Sequence, residues 1–426
     1  MIARAWRAAT RRLARRPSGG PLPSQPGPEW PDEPPLTLAS CRRVFENVPP
    51  GTVGVEEELL IVSPQTLDLV PENRALLEAL AGDERFHPEL RASQLEIVTP
   101  VCGSAAEVAS VLADARRTLV AAAAGRVRIL AAGTHPFATD WGEISDDDRY
   151  RVIEDEYLWA ARRSLTCGLH VHVAVGGAER SLAVFNALRS YLPEIACVAA
   201  NAPFLEGEDT GLCSVRPKLM GSLPRTGVPP AFESWEEFVS LVGWGRAGGF
   251  VPGATFLWWD LRPHPIHGTI ELRSADSQTQ IDDAAALAAF VHCLAVSLGD
   301  RHSSGERLPV HAVERIAENM WRAVRYGVNG TLVDLETGER EPARTRIAAL
   351  VDSLEPAAAL LRCSDELARV RSLIAGNGAD RQRYVAKREG LVGLTSWLVR
   401  ETETGAKDGV TPSPVPAARA QPASPA

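Results

Sequence analysis

Three adjacent glutamates, Glu56, Glu57 and Glu58, interrupt the segment TVGVEEELLIV, whose β-branched and aliphatic content otherwise reads as a buried strand. Side chains of a strand alternate between its faces, so Glu56 and Glu58 share one side while Glu57 joins Val55 and Leu59 on the other. Carboxylates two residues apart have Cα atoms about 6.6 Å apart, close enough for both to reach one cation or two neighbouring ones. The same sorting applies to three further segments. In SQLEIV, Gln94 and Glu96 oppose Leu95 and Ile97; in GLHVHV, His170 and His172 oppose Leu169, Val171 and Val173. In TIELRS, Thr269, Glu271 and Arg273 oppose Ile270 and Leu272.

A solvated sheet face also alternates, but without this concentration of Glu and His. Gathered on one face, Glu56, Glu58, Glu96, His170, His172, Glu271 and Arg273 have the composition of a metal or phosphate site. Crowded carboxylates raise one another's pKa, so they stay ionised only with cations between them. Oxygen-rich ligation with an occasional imidazole favours Mg²⁺ or Mn²⁺ over zinc. Such cations suit a nucleoside triphosphate, with Arg273 neutralising charge on the transferring phosphoryl group. The sequence contains no G-x-x-x-x-G-K-[ST] loop, so an ATP site here must rely on metals.

Plainer readings compete at each position. Glu56 and Glu58 taken alone fit a charge-protected edge strand. The H-x-H pair of His170 and His172 also fits the metal pair of a hydrolase barrel, although it follows more than a hundred residues of folded body, and His172 fits a supporting hydrogen bond to a ligand. His292 reads as a helix-packing histidine, His135 as turn or substrate contact, Cys167 as a small core residue, and Glu206, Glu208 and Asp209 as a loop. Glu57, on the apolar side, requires a partner such as an arginine from a covering helix.

Several helices are legible around these strands. SAAEVASVLADARRTLVAAAAG opens with Ser104 and has Glu107 three residues on, a capping-box pattern. RSLAVFNALRSYLPEIACVAA, IDDAAALAAFVHCLAVSL and AVERIAENMWRAVRYG have helical apolar spacing. The 426 residues carry 45% hydrophobic content and a formal net charge of -9, which argues against a nucleic-acid-binding body. The seven cysteines form no C-x-x-C pair, so neither a disulfide framework nor a thiolate zinc site is indicated. No apolar run reads as a bilayer span, and a cytoplasmic protein is expected. The Arg-rich, Pro-rich residues 1–35 read as a disordered extension or an early start, 36–403 as one catalytic domain, and 404–426 as a tail.

The ordered segments TVGVEEELLIV, SQLEIVTPVC, GTHPFA, CGLHVHV, NAPFLEGEDTG, RPHPIHGTIELRSADSQT and AENMWRAVRYG resemble the carboxylate-amine ligase family, also called glutamate-cysteine ligase type 2. The resemblance implies an α+β, glutamine-synthetase-like fold: a curved antiparallel sheet with helices on its convex face and ATP, Mg²⁺ or Mn²⁺ and substrate on the concave one. It implies activation of a carboxylate, glutamate in the named activity, as an acyl phosphate, followed by attack of an amine. By the same resemblance Glu56, Glu58, Glu96, His170 and Glu271 are metal ligands, Arg273 and Glu58 are catalytic, and Glu89 and Asp276 are weaker members. Arg216 and Arg262 match positions near the substrate, Arg322 and Arg325 match phosphate contacts, and His172 stands beside the ligands. Small-molecule substrates and a homodimer are the partners expected. The rival readings are the metal-dependent hydrolase and a non-catalytic relative that binds nucleotide or amino acid.

Overall fold

The computed structural model describes residue 30 and residues 33–404; the Arg-rich start and the C-terminal tail lie outside the described residues. Seven strands form the main sheet: β1 (Thr52–Val62), β2 (Phe86–Pro88), β3 (Gln94–Val98), β4 (Arg128–Leu130), β5 (Gly168–Ala174), β6 (Leu261–His264) and β7 (Thr269–Asp276). Their order is β2-β3-β1-β5-β7-β6, every pairing is antiparallel, and β4 pairs with β1 beyond the end of β5. An antiparallel setting for His170 and His172 removes the parallel hydrolase barrel.

The helices that bear on the site are α1 (Ala105–Ala123), α2 (Asp148–Tyr157), α3 (Ala178–Leu188), α4 (Leu192–Ala199), α5 (Ile281–Ser303), α6 (Val313–Tyr326) and α7 (Gly378–Thr404). One apolar core joins Val53, Val55, Leu59 and Ile61 of β1 to Leu95, Ile97, Leu169, Val171, Ile270 and Leu272 and to the inner faces of α1, α3, α4 and α5. Each such side chain is worth about 1.5–3 kcal/mol when buried. A slip of β1 by one residue would exchange Val53, Val55, Leu59 and Ile61 for Gly54, Glu56, Leu60 and Val62, and Glu57 for Glu58, so the hydrophobic face fixes which glutamates look outward. Past Glu58 both faces are covered: Leu60 and Val62 pack with Leu394, Leu398 and Val399 of α7, which accounts for the continuous LLIV run.

Three expectations need correction. The segments Ala178–Ala199 and Ile281–Ser303 are long and apolar enough to pass for bilayer spans, but most of each is buried inside the fold; the second is α5, the helix beneath the sheet. The first is broken into α3 and α4 by a 3-10 turn at Arg189–Tyr191, just before Pro193, which sits in the first turn of α4 where it is tolerated. The expected loop at Glu206 is a short hairpin, Phe204–Leu205 against Glu208–Asp209. At the start of α1, Ser104 caps the Glu107 N–H as expected, but Glu107 reaches back to the Gly103 N–H at 2.8 Å.

Candidate functional site

Register brings the sorted residues side by side. Glu58 lies opposite Glu96, Glu56 opposite His170, and His172 opposite Glu271, which in turn faces Arg262. Between the pairs Leu169/Ala275 and Val171/Leu272 the register shifts, so β7 sets two residues, Arg273 and Ser274, against His170. This bulge matters for Asp276. Strict alternation from Glu271 would send Asp276 into the core; the extra residue puts Ala275 there instead and turns Asp276 to the other side.

The histidines and glutamates are tightly engaged. His170 Nδ1 is 2.8 Å from Glu56 Oε2 and its Nε2 is 3.4 Å from Glu58 Oε1. His172 spans Glu56 Oε1 at 3.2 Å and Thr269 Oγ1 at 3.0 Å. Glu58 Oε2 accepts the Gly168 N–H at 2.6 Å. With Nδ1–H given to Glu56, the buried His170 Nε2 has no hydrogen-bond partner among the described residues and presents a lone pair to the cavity.

Charge is shared unevenly along this row. Burial pushes Glu56 up, but His172 and His170 outweigh it and hold the carboxyl well below its ordinary range. Burial, followed by the charge of Glu56, drives Glu96 well above it. Glu89 is pushed up to about 7 by burial and by Glu58. Burial lowers His170, helped by the neighbouring Arg273, whereas Glu271 and Glu56 overcome burial and raise His172.

Three sets can converge on a cation, each with ligand atoms within 4.8 Å of one another: Glu56, Glu96 and His170; Glu58, Glu89 and Glu96; Glu56, His172 and Glu271. The first two fit a hard cation well, being carboxylates with one unsatisfied imidazole nitrogen. The third is compromised. Glu271 accepts two hydrogen bonds from Arg262, Nε to Oε2 at 2.5 Å and Nη2 to Oε1 at 3.0 Å, and Arg273 Nη1 also binds Oε1 at 2.5 Å. Burial of Glu271 is thereby overcome by Arg262 and Arg273, and its carboxyl lies well below the usual range.

The arginines fall into three groups. Arg273 and Arg216 both line the acidic cavity of about 250 Å³, and Arg216 rests against β7 with Nη1 3.1 Å from the Arg273 carbonyl. The expected grip of Arg262 on a substrate carboxylate is replaced by its grip on Glu271, and its Nη1 is taken by the Thr255 carbonyl at 2.6 Å. Arg322 and Arg325, on α6, do not line this cavity: Arg322 pairs with Glu318 at 3.4 Å and Arg325 donates to the Gly211 carbonyl. Asp276 is likewise outside it, accepting the Asn201 N–H at 2.7 Å and the Ser214 hydroxyl at 2.9 Å.

Arg149, Tyr150, Trp258 and His264 also line the cavity and were not singled out from sequence. The first two lie on α2, whose charge-rich DRYRVIEDEY reads as a solvated helix. His264 stacks on His267 at 4.3 Å beside His172; RPHPIHG held that signal in plain view. Elsewhere His292 bonds the Gly51 carbonyl at 3.0 Å, His135 accepts the Ala138 N–H at 3.0 Å within its turn, and Cys167 is buried in an apolar cluster.

The chain is 42% identical over 367 residues to a Rubrobacter xylanophilus protein whose name assigns it as glutamate–cysteine ligase 2-3, covering 84% of this chain and 99% of that one. It is 36% identical over 354 residues to a Mycolicibacterium smegmatis protein assigned as glutamate–cysteine ligase 2-1, covering 82% and 94%. Among solved structures, the Francisella tularensis glutamate–cysteine ligase in complex with AMP superposes with a TM-score of 0.63 at 12% identity, over 84% of this chain and 88% of that one. A bifunctional glutathione synthetase from Pasteurella multocida gives 0.61 at 12%, over 86% and 54%. These likenesses establish the glutamine-synthetase-like α+β fold. Residues 52–410 match the model of glutamate-cysteine ligase family 2, and the chain belongs to that family of ligases.

Proposed function

We propose that the protein is an ATP-dependent carboxylate-amine ligase, which activates the carboxylate of glutamate or a similar amino acid as an acyl phosphate and transfers the acyl group to an amine. The observation that supports this most is the row of carboxylates at neighbouring register positions, Glu58 against Glu96 and Glu56 against His170, bordered by Arg273. Mg²⁺ or Mn²⁺ would be held by Glu58, Glu89 and Glu96 and by Glu56, Glu96 and His170. Bound there, such cations would offset the charge of the carboxylates and of the nucleotide's phosphates.

The chain's own residues do the remaining work. Arg273 supplies a fixed guanidinium where charge develops on the transferring phosphoryl group. Glu271 orients Arg273, and Arg262 orients Glu271, so these two act by positioning. Arg216, with Nε buried and without a hydrogen-bond partner among the described residues, is suited to hold the carboxylate substrate. His172 steadies Glu56 from the side of Thr269. Residues 36–403 are taken as one catalytic unit.

The test is turnover. Protein, ATP, Mg²⁺, glutamate and a panel of amines are incubated, and ADP and amide are measured together. Matched formation of both is expected; amide formed without ATP, or no ADP with any amine, overturns the reading.

A further inference from the structure

One wall of the acidic cavity is backed by an apolar cluster separate from the main core, in which Ile153 and Phe256 are buried and Trp30, Tyr157 and Trp258 pack against them. Ile153 and Trp258 also line the cavity. Trp30 belongs to the Pro-rich stretch ahead of β1. Its indole N–H donates to the Gly249 carbonyl at 2.8 Å, and its ring centroid lies 5.0 Å from that of Phe256 and 6.3 Å from that of Tyr157. Tyr157 is the last residue of α2 and Phe256 the last of a 3-10 turn, Ala254–Phe256, so Trp30 bridges the covering helix and the wall. Glu33, three residues on, accepts the Thr255 hydroxyl at 3.1 Å. Gly253 leaves room for this contact, since a Cβ there would run into the Glu33 carboxylate.

The wall segment in turn holds the arginines of the site. Arg262 Nη1 donates to the Thr255 and Leu257 carbonyls at 2.6 and 3.3 Å, and the same guanidinium grips Glu271, which binds Arg273. Phe256 also carries the Arg149 guanidinium, 4.9 Å from its ring centroid. A small cluster outside the main core opens locally at low cost, and a single aromatic ring supplies a large share of its buried area. Neither Trp30 nor Glu33 lines the cavity, so both reach the chemistry only through this wall.

We propose that Trp30 and Glu33 are positioning residues, a strap that holds residues 253–258 against α2 and thereby sets Arg262 and, through Glu271, the guanidinium of Arg273. The inference rests on the ligase reading for its kinetic consequence and adds to that reading a part for the chain ahead of β1. What Glu33 contributes is an acceptor oxygen for Thr255, which a glutamine keeps and an alanine loses. Trp30 contributes the ring that closes the cluster between Tyr157 and Phe256.

The test pairs hydrogen exchange with kinetics on the full chain. The Phe256 and Leu257 N–H groups bond the Gly253 and Ala254 carbonyls, and their exchange, followed by mass spectrometry, is expected to quicken about tenfold in Trp30→Ala, Glu33→Ala and Gly253→Ala. With ATP, Mg²⁺, glutamate and an accepted amine, Glu33→Ala is expected to lower kcat about tenfold with little change in KM, and Glu33→Gln to restore it. In an Arg262→Lys background Glu33→Ala should add less than about a twofold loss, because both act along one path. Should Trp30→Ala fail to fold, Glu33→Ala and Gly253→Ala keep the test open. Unchanged exchange in the variants, an unmoved kcat in Glu33→Ala, or its full loss repeated on top of Arg262→Lys would overturn the assignment. Faster exchange in a protein that forms no amide with any amine would support the strap while counting against the ligase.

Discussion

Glu57 and Arg116 form a bidentate ion pair, 2.6 and 2.8 Å, sealed beneath the sheet between the positions of Glu56 and Glu58. Arg116 also donates from Nη2 to the Gln278 carbonyl and from Nη1 to the Thr279 carbonyl, at 2.7 and 2.8 Å, just past the end of β7. The middle glutamate of the three thus ties β1 to the strand that carries Glu271 and Arg273. Its neighbours are free to face the cavity because it does not.

Removing Arg116 leaves a buried carboxylate without its counter-charge. Arg116→Met is expected to lower stability by about 3–5 kcal/mol, read as a shift of the urea midpoint at constant slope. The double variant Glu57→Leu with Arg116→Met should recover most of that loss, since no isolated charge remains. A single-variant loss below about 1 kcal/mol would show that the pair does not hold the sheet.

The cavity's protons predict how stability depends on pH. Glu96 is raised well above 4.5 and Glu89 to about 7, so the folded state keeps protons that the unfolded chain has released. Metal-free protein should therefore lose stability as pH rises from about 4.5 through 7. Glu56 and Glu271, held well below 4.5, act in the opposite sense and below that window. Mg²⁺ competes with those protons, so the thermal shift it produces should grow between pH 5 and pH 8. A shift independent of pH would separate the cation from Glu89 and Glu96.

Gly168 is expected to be intolerant of a methyl group. A Cβ there would clash with the Arg216 guanidinium, lying 2.9 Å from its Cζ, and would come within 3.1 Å of His170 Nε2. Gly168→Ala should raise the KM for the carboxylate substrate at least tenfold while circular dichroism stays that of the parent. An unchanged KM would mean that Arg216 does not hold the substrate where it now lies.

Arg273 and Arg262 should separate by kinetics. Arg273→Ala is expected to lower kcat on the order of 10³-fold. Arg262→Lys keeps the charge beside Glu271 but loses the two-point contact, so a smaller fall in kcat with little change in KM is expected. Equal losses would place Arg262 in direct contact with substrate.

Much of the site was legible because a strand's period of two is rigid. Glu56, Glu58, Glu96, His170, His172 and Glu271 sort correctly from their neighbours, and the demand of Glu57 for a helix arginine follows from its facing Val55 and Leu59. Asp276 could not be placed that way, because the bulge at Arg273 and Ser274 breaks the alternation. Arg262 was assigned to substrate because sequence does not reveal that Glu271 lies opposite it. Arg149 and Tyr150 were missed since a charged helix gives no sign of covering a cavity. The C-terminal layer of Ala343–Ser353, Ser364–Ala375 and α7 carries no sequence signal that ties its helices to the site.

Isotope transfer tests the central claim most directly. Glutamate labelled with ¹⁸O in both of its carboxylates is turned over with ATP, Mg²⁺ and an accepted amine, and the released phosphate is examined by mass spectrometry. Transfer of one ¹⁸O to phosphate, lost together with turnover in Glu58→Gln, is the predicted result. Unlabelled phosphate accompanying amide formation would contradict an acyl phosphate formed over the acidic face.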